Sequence, residues 1–311
     1  MRVTANTFPN TLVDQLNDLA VRQNRLQNQA ATGQRIQNPE DDPAAMSRVL
    51  DLQAEGRAVG QYRRNIANLR EQAQSNYQVL RGLKQISDRA GELAILADGT
   101  KSPEDLRNYA TEVTELIKHA AQLANTKFRG DYLLGGTRND QPPFVSTLNA
   151  SSQVTAVTYQ GNQSVAENEI ADGITVSAQT LGANSTGSGP RGLIADSRFG
   201  ADFFNHLISL QNHLLAGDTA SIASTDRPAL AADEENILVQ VSGNGVLQSR
   251  LEATESTAAQ RAGSLEVLVS KEVDVDLSQV LVRLNQTQTA YQAALQSGAK
   301  LLNISLLDYI R

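Results

Sequence analysis

A heptad pattern of apolar residues, sustained for about six heptads, constrains this chain more than any other feature. Its positions alternate at spacings of four and three residues, which keeps one face of a long helix apolar. Asn76 and Ser87 interrupt it, and such polar residues commonly fix coiled-coil register at a cost in stability. The pattern predicts one long helix in coiled-coil packing. Its positions are Leu52, Val59, Ile66, Ala73, Leu80, Ser87 and Ala94 in one series, and Tyr62, Leu69, Asn76, Leu83, Ala90 and Ala97 in the other.

Both ends of the chain carry shorter apolar seams of the same kind. We predict a helix from about Thr11 to Ala31, ended by Gly33, and another from Leu284 to Arg311. Two isolated helices are marginal in water, so we expect the seams to pair and further copies to cover their remaining apolar faces. A self-contained helical bundle is the alternative. The predicted assembly residues are Leu12, Leu16, Leu19, Leu26, Leu284, Tyr291, Leu295, Leu302, Leu306 and Leu307.

Cap residues place the other helix boundaries. Asp42 is typical of an N-cap, with Pro43 at the first helical position. Ser102 and Pro103 repeat this arrangement, and Asp276 is the candidate cap of the closing helix. These positions predict separate helices joined by short turns.

The composition changes between the helical arms. Residues from about 137 to 190 are rich in Ser, Thr, Gly, Asn and Val, and QVTAVTYQG and GITVSAQ are typical of short strands. We therefore predict a mainly α protein: a rod of long antiparallel coiled-coil helices from both chain ends, with a small β domain at the far end. The predicted parts are a terminal coiled-coil assembly domain (1–42 and 271–311), a helical rod domain (43–137 and 199–270) and a β-rich outer insert (138–198).

Composition and charge exclude several classes of protein. Cysteine is absent, which excludes disulfides and thiol catalysis. The net charge of −7 has no basic block, so nucleic acid is a poor partner. No apolar run approaches the roughly 20 residues of a membrane span, and we expect neither membrane insertion nor a cleaved signal peptide.

Three motifs could carry catalytic or binding chemistry, but each has a structural explanation. The G-x-G-x-x-G match at Gly187–Gly192 lacks the preceding strand of a dinucleotide site and predicts a flexible connector. The acidic segment Pro39–Pro43 predicts a turn and a cap. Of the histidines His119, His206 and His213, the last two are seven residues apart, and the sequence shows no partner carboxylate for them. We therefore predict no catalytic residue, no metal site and no cofactor.

Several segments resemble the bacterial flagellin superfamily. They cover the helical arms, about two thirds of the chain, whereas the insert is similar only through VTYQGNQ. Within the superfamily, the Asn38–Pro43 segment is closer to the hook-associated protein 3 family than to filament flagellins. The segments are ATGQRIQNPEDDPAAMSRVLDLQ, GDYLLGGT, DVDLSQVLVRLNQTQTAYQ and LNQTQTAYQAALQSGAKLLNISLLDYIR, the last with Ser305–Tyr309 near its end.

The resemblance implies a structural, non-enzymatic protein of the flagellum. Members of this family join the hook, through hook-associated protein 1, to the flagellin filament by coiled-coil self-assembly into a ring. They leave the cell by flagellar type III export without a cleaved signal, with an export chaperone as a further partner. The implied location is extracellular, at the hook–filament junction.

Three other functions stay open from the sequence. A minor filament flagellin would share every motif and differ in copy number. A cytoplasmic signalling coiled coil would also show long heptads. An enzyme is disfavoured because no clustered catalytic set is present.

Overall fold

The computed structural model describes the backbone of residues 7–309 and the side chains of residues 11–300. The chain divides into two compact units, one formed by 1–58 with 261–311 and the other by 59–260. The long helices α2 and α6 contribute residues to both. The three-part division expected from the sequence stays a prediction.

Helices dominate the described chain, as predicted. The helix α2 is one continuous element that contains the heptad pattern up to Ala94, and Ala97 directly follows its last residue. The bounds are α1 Thr7–Thr32, α2 Pro43–Leu96, α3 Pro103–Ala124, α4 Phe203–Ala216, the short α5 Thr219–Ser221, a π-helical turn Ile222–Asp226, α6 Arg227–Val273 and α7 Leu277–Tyr309.

The predicted caps are confirmed at all three helix starts. Asp42 Oδ1 accepts the backbone N–H of Ala45, and α2 begins at Pro43. Ser102 and Asp105 form a reciprocal capping box at α3. Asp276 Oδ1 accepts the backbone N–H of Ser278, at the first turn of α7. These signals are local, which is why sequence alone predicts them.

Short strands form the β region, and they extend beyond the predicted insert at both of its ends. β3 and β4 form one antiparallel hairpin and β5 and β6 another, while β8 pairs parallel with β7 and antiparallel with β9. The bounds are β1 Lys127–Phe128, β2 Asp131–Tyr132, β3 Phe144–Leu148, β4 Val154–Tyr159, β5 Asn168–Ala171, β6 Ile174–Val176, β7 Leu181–Asn184, β8 Gly192–Asp196 and β9 Ala201–Asp202. The expectation that no strand precedes the Gly187–Gly192 motif is wrong, because β7 ends at Asn184. The motif leads into β8 at Gly192, and no helix opens from it.

The heptad face of α2 is buried from Val59 to Ala97, with Leu52 and Tyr62 half-buried. Its positions from Ile66 to Ala73 pack on Ile170 and Val176 of the β region and on Leu251 of α6. Its later positions share a second core with α3, α4 and the first part of α6. One apolar face therefore supports two cores.

Amide side chains attach the strands to these helices. Asn65 Nδ2 donates to the carbonyl of Glu169 at 2.8 Å, and Asn76 Nδ2 donates to that of Ala178 at 2.5 Å. Asn236 Nδ2 donates to the carbonyls of Gly192 and Leu193. Asn76 thus bonds a loop of the β region, where the sequence suggested only a register-fixing role in a coiled coil.

Replacing Asn76 with leucine tests this attachment. The change leaves the Ala178 carbonyl without its donor in a buried place, which costs about 1–3 kcal/mol. We expect Asn76→Leu to lower the free energy of unfolding by that amount, which appears as a lower urea midpoint. The midpoint of the exposed control Asn108→Leu should change little. An unchanged midpoint for Asn76→Leu would show that the bond does not stabilise the unit.

Candidate assembly interface

α1 and α7 form an antiparallel pair, which is the feature that the terminal seams predict. Leu26 is buried at 8% exposure, while Leu12, Leu16 and Leu19 are half-buried. On α7 the packed face repeats at spacings of four and three residues, as a coiled-coil seam does. Its buried or half-buried positions are Val280, Leu284, Thr287, Tyr291, Ala294 and Gly298.

Gly298 permits a close approach of the two helices that sequence reasoning missed. A Cβ atom at this position would lie 2.5 Å from Cδ2 of Leu12. Such a distance is too short for two carbon atoms in van der Waals contact. Close packing against Leu12 therefore explains the glycine in the SGA segment of α7.

Backbone and ionic contacts connect the C-terminal end of α1 and the N-terminal end of α7 with the neighbouring helices. The N–H of Arg35 donates to the carbonyl of Val273 at 2.6 Å, and that of Val275 to Gly33 at 2.9 Å. Arg48 forms a two-pronged ion pair with Glu272, at 3.2 and 2.8 Å. Gly33 adopts the left-handed conformation, with φ +71°, that ends α1.

The acidic turn before α2 is a structural element, as its sequence predicts. Asp41 Oδ2 accepts the backbone N–H groups of Gln37 and Asn38, and these bonds lower the pKa of Asp41. The Ala45 backbone N–H lowers the pKa of Asp42 in the same way. Among residues 11–300, no group of three or more His, Cys, Asp or Glu side chains could hold a metal ion.

A second apolar stripe on α7 faces solvent within a single chain. Leu277, Leu281 and Leu295 are 48%, 51% and 45% exposed. Leu281 and Leu295 are separated by two heptads, so they share a face. Leu295 therefore differs from the other described assembly residues, which contact the partner helix of their own chain.

Three of the predicted assembly residues lie outside the described side chains. These are Leu302, Leu306 and Leu307, which belong to the last turns of α7. Their part in assembly stays a prediction.

Two histidines have partner carboxylates that the sequence did not reveal. His206 Nδ1 lies 2.7 Å from Oδ2 of Asp233, and His213 Nδ1 lies 2.7 Å from Oδ2 of Asp226. Both aspartates are buried. The expectation that these histidines lack such partners is wrong, because the pairs join α4 to residues 13 and 27 positions away.

The His206 pair is ionisable and structural. The hydrogen bond that His206 donates to the Asp233 carboxylate raises the pKa of His206, and the charges of Asp202 and Asp226 raise it further. Burial raises the pKa of Asp233, and the bond from His206 offsets part of that rise. The pair joins α4 to α6.

Comparison with known proteins finds similarity to flagellar proteins. Residues 5–139 match the family model of the bacterial flagellin N-terminal helical region. Flagellar hook-associated protein 3 of Salmonella typhimurium is 25% identical over 92% of this chain and 92% of its own length. The protein of the same name from Escherichia coli is 26% identical over 90% of each chain.

A solved structure has the same fold. A flagellar hook-associated protein of Vibrio parahaemolyticus superposes with a TM-score of 0.63 at 20% identity, over 75% of this chain and all of that one. No described helix is long and apolar enough to cross a membrane.

The resemblance to bacterial flagellins seen in the sequence is thus confirmed over residues 5–139, which are similar to the N-terminal helical region of those proteins. The chain is similar to flagellar hook-associated protein 3 over most of its length, and this similarity supports a structural role in the flagellum.

Truncating two leucines of the pair should change its stability by different amounts. Leu26→Ala removes a buried side chain and should lower the free energy of unfolding of the α1–α7 unit by about 2–3 kcal/mol. Leu295→Ala removes an exposed one and should change it by less than about 0.5 kcal/mol. Urea unfolding with a probe on α7 measures both, and equal losses would contradict the assignment of Leu295 to the outer stripe.

The His206 pair predicts a pH dependence. Because folding raises the pKa of His206, the pair contributes its full stabilisation of the folded state at a pH below about 6.5, the pKa of histidine in the unfolded chain. It is lost as the pH rises through the higher pKa of the folded state. The free energy of unfolding should therefore fall across that window in the parent, and His206→Gln should remove this part of the slope. The exposed His119→Gln is the control, and an unchanged slope in His206→Gln would count against the pair.

Proposed function

We propose that the chain joins the hook to the filament of the bacterial flagellum, by self-assembly through its terminal helices. The solvent-exposed stripe of Leu277, Leu281 and Leu295 carries this proposal. The stripe lies beside the face of α7 that already packs on α1, so its exposed leucines are free to contact a partner from outside the chain. The hook-associated names of the relatives supply the biological setting.

The proposed partners are other copies of the chain, hook-associated protein 1 on the hook side and flagellin on the filament side. A ring requires each copy to contact two neighbours through different surfaces. The α1–α7 pair offers such surfaces, because the helices use one face on each other. Export without a cleaved signal, assisted by a chaperone, belongs to the same proposal.

Burial of the stripe supplies the energy for assembly. Covering the exposed half of three leucines contributes roughly 1 kcal/mol for each of them. A total of about 3 kcal/mol corresponds to roughly a hundredfold in affinity at each contact. The stripe therefore adjusts the affinity of each contact, and the rest of the interface has to offset the entropy cost of association.

Polar replacement of the stripe tests the proposal. We expect Leu277→Gln, Leu281→Gln and Leu295→Gln together to reduce incorporation into flagella by about a hundredfold or more, with little change in the stability of the free protein. The control is Val145→Gln, Leu148→Gln and Ile174→Gln, which alters equally exposed residues of the β region. Incorporation is measured by immunoblot of sheared flagella.

Labelled wild-type protein in electron micrographs decides the location. A single labelled position between hook and filament supports the proposal. Label along the whole filament would identify a minor flagellin, and label confined to the cytoplasm would identify a signalling coiled coil. Normal incorporation of the glutamine variant would refute the role of the stripe.

A further inference from the structure

One stretch of α6 combines an exposed surface with a complete absence of charge. Residues 236–249 contain no Asp, Glu, Lys or Arg, although one face of the helix is open to solvent along this stretch. Leu238, Val239 and Val246 are 45%, 44% and 70% exposed on that face. Exposed apolar side chains grouped without charged neighbours are typical of a contact surface.

Two glycines lie beside this face, and packing inside the chain does not require them. A Cβ atom at Gly243 or Gly245 would meet no side chain and no other element within 4 Å. Neither residue adopts a positive φ. Glycine inside a helix is destabilising relative to alanine, so a close approach of another backbone from outside the chain would explain both positions.

The exposed face is symmetric about the point between Ser242 and Gly243. Val239 and Val246 lie at equal distances before and after that point. When two copies of such a helix pack antiparallel with their midpoints together, Val239 of one copy meets Val246 of the other, twice. The small residues then lie at the crossing point, where the two backbones are closest.

The charges that border the uncharged stretch have opposite signs. Glu235 precedes it and Arg250 follows it, again at equal distances from the midpoint. Both side chains are exposed, and neither forms a salt bridge among residues 11–300, whereas the adjacent Glu234 pairs with Lys84 at 3.1 Å. An antiparallel second copy would place Glu235 opposite Arg250 at both ends of the contact, while a parallel copy would place like charges together.

We propose that free copies of the chain pair through this face of α6, with the two helices antiparallel about a two-fold axis near Ser242 and Gly243. The contact from Glu235 to Arg250 is about 22 Å long at the rise of an α-helix. So short a contact is smaller than a standard interface, and we expect a weak dimer that dissociates on dilution. A two-fold contact closes on itself, so the dimer is a property of the unassembled chain and does not depend on the proposed function.

Exchange of the two border charges tests the antiparallel arrangement in the full-length chain. Glu235→Arg and Arg250→Glu should each weaken dimerisation by about tenfold, because like charges then face each other at both ends. Both substitutions in one chain should restore dimerisation to near the parent value, since the pairs are reversed but complementary. Sedimentation equilibrium measures the dissociation constant, and the losses should shrink at high salt.

Matched controls on the same helix lie outside this face. Exposed Glu266 and Lys271 receive the same charge exchange, as Glu266→Arg and Lys271→Glu, which should leave dimerisation unchanged. Val246→Gln should weaken it several-fold, whereas Val267→Gln, at a valine that is 54% exposed, should not. Single charge variants that dimerise as tightly as the parent, or a double variant as weak as the singles, would overturn the proposal.

Disulfide trapping tests the position of the axis, since the chain has no cysteine of its own. Ser242→Cys lies next to the axis, so two copies should cross-link on mild oxidation. Ser249→Cys lies on the same exposed face, but about 20 Å from its own counterpart, which is too far for a disulfide, so it should cross-link several-fold less. Equal cross-linking of the two variants would indicate a parallel contact or random collision and would overturn the proposal, as would a parent chain that stays monomeric at its highest soluble concentration.

Discussion

The burial of one apolar face of α2 is the constraint on which the larger unit depends. Residues from Ile66 to Ala73 support the β region, and residues from Leu80 to Ala97 support the helices α3, α4 and α6. Both cores use the same heptad spacing because a helix presents positions three and four residues apart on one side, whatever packs there. The unit therefore does not need large aromatic residues to fill a thick core, and aromatics are only 4% of the chain.

Hydrogen bonding explains how small sheets survive on such helices. Two-stranded hairpins are marginal in water by themselves. Here Asn65, Asn76 and Asn236 satisfy loop and strand carbonyls from the helix side, and Gln211 does the same for Val154. The cost is visible at Asn76, whose Oδ1 is buried without a partner among the described residues. A polar seam residue thus serves attachment of the β region, and it gives up some coiled-coil stability in return.

Sequence reasoning succeeded where the signal is local and failed where it is not. The caps at Asp42, Ser102 and Asp276 follow from neighbours within four residues, and the heptad face follows from spacing alone. The partner of His206 is 27 positions away, and no periodicity relates the two. The different environment of Leu295 could not be predicted either, because a heptad pattern identifies an apolar stripe without saying which chain covers it.

That separation between two stripes on α7 has a consequence for how assembly and folding are coupled. The inner face, from Val280 to Gly298, stabilises the α1–α7 pair of each copy, and substitutions there act on the monomer. The outer leucines are exposed in the monomer, so substitutions there should leave its stability nearly unchanged and affect only the proposed assembly. Were the two faces one, every change that weakened assembly would also unfold the pair. Because they are distinct, the strength of the proposed assembly contact can vary while the α1–α7 pair itself is retained.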